Sequence, residues 1–167
     1  MLDLNHLHPM IVHFPIALLI VGFLFDLIGT LLKKEFYSNA GFYLLILGTV
    51  GVVAAYLSGG YAGDGVSEAG ALKQALETHE AAAELSLWLM AVASITRIGF
   101  VVLKKYNGIF KWVALVLFFA GVLSIARTGY YGGELVFKHA AGVQLNLGFD
   151  FNSDNSKNID NSGTDED

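Results

Sequence analysis

Four apolar runs, each close to the length that crosses a lipid bilayer, constrain this chain more than any other feature. A membrane-spanning helix needs about 20 predominantly apolar residues, and the runs cover residues 11–32, 40–58, 81–103 and 110–128. Charged residues make up only 15% of the chain, against roughly 25% in soluble domains. Because lipid offers the backbone no hydrogen-bond partners, each run must be helical.

The short links between the runs predict how the helices are arranged. Residues 33–39 join the first two runs and residues 104–109 the last two, and short links place consecutive helices side by side and antiparallel. Small residues, which let helices approach closely in lipid, recur along the first, second and fourth runs at Gly22, Gly29, Gly41, Gly48, Ala55, Ala114, Gly121 and Thr128. We therefore predict an all-α, antiparallel four-helix transmembrane bundle within residues 1–150.

Lysines at the ends of the runs predict the orientation of the bundle. Lys33 and Lys34 follow the first run, and Lys104 and Lys105 follow the third. The positive-inside rule places such loops in the cytoplasm. Both termini and the outer loop 59–78 then lie outside, and we expect a multi-pass protein of a bacterial cell membrane.

The segments outside the runs carry their own expectations. The glycine-rich start of the outer loop, residues 59–65, is predicted not to be helical. Gly132 and Gly133 are predicted to break the fourth helix, leaving residues 130–145 as an interfacial segment. Residues 151–167 are acidic and polar, a composition typical of disorder.

All five histidines fall on the predicted outer side, which makes them the candidate functional residues. Histidine titrates near neutral pH and is the commonest metal ligand. The chain has no cysteine, which excludes cysteine-ligated iron–sulfur clusters, covalently attached c-type haem and thiol catalysis. Nor does it have a basic patch of the kind that binds nucleic acid. The histidines are His6, His8, His13, His79 and His139.

The first hypothesis for these residues is a b-type haem, which needs two neutral imidazoles from facing helices and no covalent anchor. His13 and His79 are the leading ligands, with His139 and His8 as further candidates. Such a site would pass electrons between a membrane quinone and an acceptor on the outer face. Candidates to hold the propionates are Arg127 and Lys138, and candidates to orient an imidazole are Glu80 and Glu84.

Two other hypotheses remain open. A zinc, copper or iron site without porphyrin would use the mixed histidine and carboxylate ligands that these metals accept, namely His13, His79, His139, His8 and Glu80. Alternatively, the histidines cap helices or bind a partner protein without any cofactor, which would make the protein a membrane scaffold. His6 is assigned a structural role in every case.

Two opposite charges inside the runs are predicted to form an intramembrane ion pair. Asp26 lies seven residues before Lys33 and Arg97 seven before Lys104, so both charges lie at one depth. An unpaired charge is costly in lipid, and the pair would act as a structural link or as part of a proton relay. On an ideal helix His13 and Asp26 point about 140° apart, so a kink at Pro15 or an indirect pairing is needed if both face the third helix.

Two motifs resemble a known family. The segment 8–18 reads HPMIVHFPIAL and the segment 132–143 reads GGELVFKHAAGV. Together they are similar to the predicted membrane protein family filed as domain of unknown function 2231, over about residues 5–145. The resemblance implies four spans. Because some relatives are joined to Rieske or c-type cytochrome domains, it also implies a redox partner of that kind.

Overall fold

The computed structural model describes residues 7–63 and 70–141, which form four long α-helices. All four are long and apolar enough to cross a membrane, and these residues contain no strand. The predicted all-α fold and its multi-pass character are therefore confirmed. The helices are α1 (Leu7–Leu32), α2 (Glu35–Gly63), α3 (Ala71–Val102) and α4 (Gly108–His139).

The helices form two hairpins, α1 with α2 and α3 with α4, joined into a ring by contacts of α2 with α3 and of α1 with α4. Each hairpin turn contains a lysine in the left-handed region, Lys33 at φ 54° and Lys104 at φ 55°, a conformation that commonly ends a helix. We call the end of the bundle with both turns the lysine end. The opposite end, where α1 and α3 begin, is the histidine end.

Glycines bring α1 and α2 into backbone contact. A Cβ atom placed on Gly41 would lie 2.7 Å from the backbone nitrogen of Asp26, and one on Gly29 would lie 2.5 Å from the backbone nitrogen of Ser38. Both distances are too short for any other residue, so the predicted stripes of small residues do form a close helix contact. This is the packing that drives helix association in lipid.

Large apolar side chains lie mostly on the outside of the bundle. Leu19 and Met90 are fully buried at its centre beside Phe118, and the Phe118 ring meets that of Phe23 edge to face with centroids 5.8 Å apart. Many other leucines, isoleucines, valines and phenylalanines are exposed along all four helices. In a bilayer these exposed side chains contact lipid.

The helices are longer than the sequence predicted. The structure continues α2 through Gly59 and Gly60 to Gly63, and α4 through the Gly132–Gly133 pair to His139, so both predicted interruptions are wrong. A helical glycine costs only about 1 kcal/mol, whereas a broken helix in lipid leaves several backbone groups unpaired. His6, residues 64–69, residues 142–145 and the predicted disordered tail lie outside the described residues.

Candidate functional site

His8 and Ser58 join the first hairpin at the histidine end. The Ser58 hydroxyl donates to the Ala55 carbonyl at 2.9 Å, so its oxygen is free to accept a hydrogen bond from His8 Nδ1 at 3.0 Å. The His8 ring is half-buried. Its Nδ1 is therefore the protonated nitrogen, and Nε2 keeps its lone pair.

His79 is held in the same way in the second hairpin. Its Nδ1 donates to the Thr128 carbonyl at 3.1 Å, which again leaves the lone pair on Nε2. This ring is also half-buried. His8 and His79 each lie 18 residues, or five helical turns, before their member of the Asp26–Arg97 contact, which puts both at one depth and on the same side of their helices as that contact. An imidazole anchored through one nitrogen, with the other free, is the usual arrangement of a metal-binding histidine.

A glycine lies against each of these rings. A Cβ atom on Gly59 would lie 3.0 Å from His8 Cε1, and one on Gly132 would lie 3.1 Å from His79 Cε1. A larger residue at either position would force the ring to shift. Both glycines lie in segments that the sequence predicts to be helix breaks. Their spacing from the histidines gives no sign of this contact until the helices are known to pair.

His13 does not join this pair. Its side chain is exposed, and its Nδ1 donates to the Pro9 carbonyl at 2.6 Å. The buried face of α1 carries Pro15, Leu19, Gly22 and Asp26, and at 100° per residue His13 points to the opposite side. The structure therefore does not direct His13 toward His79, and the predicted angle between His13 and Asp26 explains why.

The remaining candidate residues are scattered over the histidine end. Arg127 is exposed and its Nε donates to the Tyr131 hydroxyl at 3.4 Å. His139 is half-buried as the last residue of α4, Glu80 is exposed on α3, and Lys138 pairs with Glu134 one turn earlier on α4.

Within residues 7–63 and 70–141, no three histidine or carboxylate side chains are placed to hold a metal ion. The predicted porphyrin-free metal site is therefore not formed in these ranges. Its members lie on different helix faces, since Glu80 is offset from His79 by 100° and His13 points away from the bundle. The proposed ligands of that site were His13, His79, His139, His8 and Glu80.

Hydroxyl groups connect the helices below the histidines. The Ser86 hydroxyl bonds to the hydroxyls of Ser124 at 2.8 Å and Thr128 at 2.9 Å, which links α3 to α4. The Thr49 and Ser94 hydroxyls, 2.8 Å apart, link α2 to α3. Hydrogen bonds between transmembrane helices add modestly to their association. Of these serines and threonines, only Thr128 stood out in the sequence, as one of the small residues of the fourth run.

At the lysine end the structure brings Asp26 and Arg97 together. Arg97 Nη2 lies 3.2 Å from Asp26 Oδ1, and each residue is only 2% exposed. The Ser38 hydroxyl donates to the same carboxylate oxygen at 3.2 Å, and so does the Tyr106 hydroxyl, also at 3.2 Å. The pairing is direct, and α1 remains helical through Pro15.

Aromatic rings enclose the guanidinium group. The Arg97 Cζ lies 3.1 Å from the centroid of the Tyr106 ring and 5.7 Å from that of Phe42. Arg97 Nη2 also donates to the Ser38 carbonyl at 3.0 Å, whereas Nε and Nη1 have no hydrogen-bond partner in the described part of the chain. Tyr106 was missed in the sequence because it lies in the turn before α4, outside every apolar run.

The comparisons with known proteins agree with the helical architecture. A family model described as a predicted membrane protein, DUF2231, matches residues 5–145. No curated protein and no solved structure matches the chain. The family match spans all four helices and most of the chain, and on that evidence this four-helix membrane protein belongs to the DUF2231 family.

Proposed function

We propose that this integral membrane protein binds a b-type haem between His8 and His79 and uses it for electron transfer. The observation that carries the proposal is the matched pair of half-buried imidazoles, one from each hairpin, each anchored through Nδ1. Both Nε2 atoms keep a lone pair and would hold the haem iron. Bound haem iron would accept and release one electron at a time.

The neighbours of the two rings leave both Nε2 atoms without a competing side chain from the second helix of each hairpin. Gly59 and Gly132 lie against the imidazoles and have no side chain that would cover Nε2. The haem propionates would find a basic partner in Arg127, which lies at the same end of the bundle. His139 is a further candidate at the same end, with no assigned ligand role.

We propose the electron donor and acceptor from their chemistry and from the Rieske or c-type cytochrome domains to which some relatives are joined. A quinone dissolved in the bilayer would reach the site along the lipid-facing helices, and a cytochrome or Rieske-type protein would meet it at the outer surface. The lysines at the opposite end support an outer location for the histidine end, because basic loops favour the cytoplasmic side.

An absorption spectrum of the detergent-purified protein, expressed with sufficient haem, tests the proposal. We expect a Soret band that shifts on reduction, and its loss in both His8→Ala and His79→Ala. His13→Ala is the matched control, because that histidine lies on the same helix but faces outward, and it should retain the spectrum. A featureless spectrum, or a band that survives the loss of either paired histidine, would contradict the proposal.

The second candidate is a membrane scaffold without a cofactor. It is favoured by one observation: His8 and His79 each already have a hydrogen-bond partner on the neighbouring helix, as buried polar groups require for purely structural reasons. A featureless spectrum together with a large loss of stability in His8→Ala and His79→Ala would support this function instead.

A further inference from the structure

The two hairpins repeat one arrangement of residues. Helices α1 and α3 correspond when their numbering is shifted by 71, which is the separation of Asp26 and Arg97. At that shift, residues 8–34 and 79–105 carry the same amino acid at six pairs of positions: His8 and His79, Leu18 and Leu89, Val21 and Val92, Leu32 and Leu103, Lys33 and Lys104, Lys34 and Lys105.

The correspondence extends to structure. Leu19 and its equivalent Met90 are both fully buried, and Asp26 and Arg97 are equally buried at 2% exposure. The two turn lysines share the left-handed conformation, with φ of 54° and 55°. The equivalent residues thus occupy equivalent environments, at the ends of the helices and at their centres.

Helices α2 and α4 correspond as well, with a shift of 73 because the second turn is longer. Gly48 and its equivalent Gly121 illustrate the match: a Cβ on Gly48 would clash with the Leu19 side chain, and one on Gly121 with that of Met90. The glycines are equivalent, and so are the residues they contact. The buried residues that correspond are Gly41 and Ala114, Leu45 and Phe118, Gly48 and Gly121, Val52 and Ile125.

We infer that the chain is an internally repeated pair of hairpins related by a twofold axis along the bundle, and that the buried Asp26–Arg97 pair makes each hairpin select the other as its partner. Repeats related by an axis along the membrane normal occur in other membrane proteins. The contacts between hairpins, α2 with α3 and α1 with α4, are the two equivalent halves of one interface.

Two pairs of equivalent residues face each other across this axis, one pair at each end. The two residues are identical in one pair and oppositely charged in the other. At the histidine end the equivalent positions carry the same residue, His8 and His79. At the lysine end they carry opposite charges, Asp26 and Arg97. If two copies of the first hairpin paired, two aspartates would be buried together, and two copies of the second would bury two arginines.

Like charges buried side by side are strongly unfavourable, so the ion pair acts against these alternative pairings. A buried polar residue that costs stability but selects one partner is well established in coiled coils, and a repulsive element against the wrong partner is a general source of specificity. Without the charges, the similar hairpins of two chains would be free to exchange partners and form a dimer.

A single-cysteine variant tests this partner selection, since the native chain has no cysteine. In His8→Cys, pairing of like hairpins from two chains would bring the two introduced thiols together across the axis, within reach of a short bis-maleimide cross-linker. We would add this change to the native chain, to the reversed pair Asp26→Arg with Arg97→Asp, and to the apolar pair Asp26→Leu with Arg97→Leu.

We expect several-fold more cross-linked dimer with the apolar pair than with either charged pair. His13→Cys is the matched control, because it lies on the same helix but faces outward, and its cross-linking should be the same in all three backgrounds. If the apolar pair gives no more dimer than the native chain, or the reversed pair gives as much as the apolar pair, the selection role is refuted.

A circular permutant tests the repeat with native side chains, in case the apolar pair fails to fold. The permutant would place residues 70–141 first, followed by the native linker 64–69 and then residues 7–63. If a twofold axis relates the hairpins, the same linker spans both junctions, and the permutant should fold with a thermal midpoint close to that of the native order. A permutant that does not fold would refute the twofold relation. Neither test depends on haem.

Discussion

Arg97 is the largest fully buried side chain of the described residues, and its contacts explain how a guanidinium is held inside an apolar bundle. Its Nη2 donates to Asp26 and to two oxygens of Ser38, and the Tyr106 ring covers one face of the group. Charge-assisted hydrogen bonds gain strength in a low dielectric. By the same argument, removal of one charge from a buried pair typically costs about 3–5 kcal/mol.

Tyr106→Phe isolates one of these hydrogen bonds. The change removes the hydroxyl that donates to Asp26 but keeps the ring over Arg97, and a hydrogen bond to a charged group contributes about 1.5–3 kcal/mol. We expect a loss of that order in the free energy of unfolding, measured by SDS titration of the protein in mixed micelles. Tyr130→Phe is the control, because its hydroxyl also donates to a carboxylate, that of Glu134, but at an exposed position. Equal effects of the two changes would contradict the role given to Tyr106.

At the scale of the element, α1 and α2 form a hairpin whose contact depends on glycine. The backbone of α2 at Gly41 meets the backbone of α1 at Asp26 and Gly22, and the turn between them is only two residues long. The close approach also positions the polar groups at both ends of the hairpin, since Ser38 reaches Asp26 and Ser58 reaches His8. Packing and polar contacts in this hairpin are therefore coupled.

Gly41→Ala should separate the two helices. The added methyl group would lie 2.7 Å from the Asp26 backbone nitrogen, and overpacking of this kind costs about 1–3 kcal/mol. Gly60→Ala, on the same helix, has no atom within 4 Å of the new Cβ and should stabilise the helix by about 0.5–1 kcal/mol. The measurement is the unfolding free energy of each variant in the same micelles, and effects of the same sign at both sites would contradict the contact.

At the scale of the whole molecule, the fold gathers residues from distant parts of the sequence into two polar ends separated by an apolar centre. His8 and His79 mark one end, Asp26 and Arg97 the other, and fully buried Leu19 and Met90 lie between them. Side chains from both hairpins thus fill the centre. Because all four helices are long enough to cross a membrane, the two ends lie toward its opposite sides, and the positive-inside rule predicts that the lysine end is the cytoplasmic one.

Cysteine labelling checks that orientation. We expect Lys34→Cys and Lys105→Cys, both at the lysine end, to resist a membrane-impermeant maleimide in intact cells and to react after lysis. Phe137→Cys, at the histidine end and 91% exposed in the native residue, should react in intact cells. The opposite pattern would place the histidine end in the cytoplasm and exclude an outer-face redox partner.

The number, type and approximate position of the helices follow from the sequence alone, because a run of about 20 apolar residues has one solution in lipid. The shared depth of Asp26 and Arg97 also follows from counting residues to the lysines. The helix ends do not follow from the sequence. Glycine pairs favour a break in a helix, yet Gly59 and Gly132 are helical, because a continuous helix keeps the backbone hydrogen-bonded. Neither glycine has a side chain that would clash with the histidine ring beside it.

Only the tertiary structure decided which histidines meet. His8 and His13 are near neighbours in the chain and share one motif, but about 3.6 residues per turn directs one toward the bundle and the other away from it. The partners of the inward one, Ser58 and Gly59, lie far along the chain on α2 and carry no local mark of their role. Periodicity determines that a helix has a buried face; the packing of the other three helices determines which face it is.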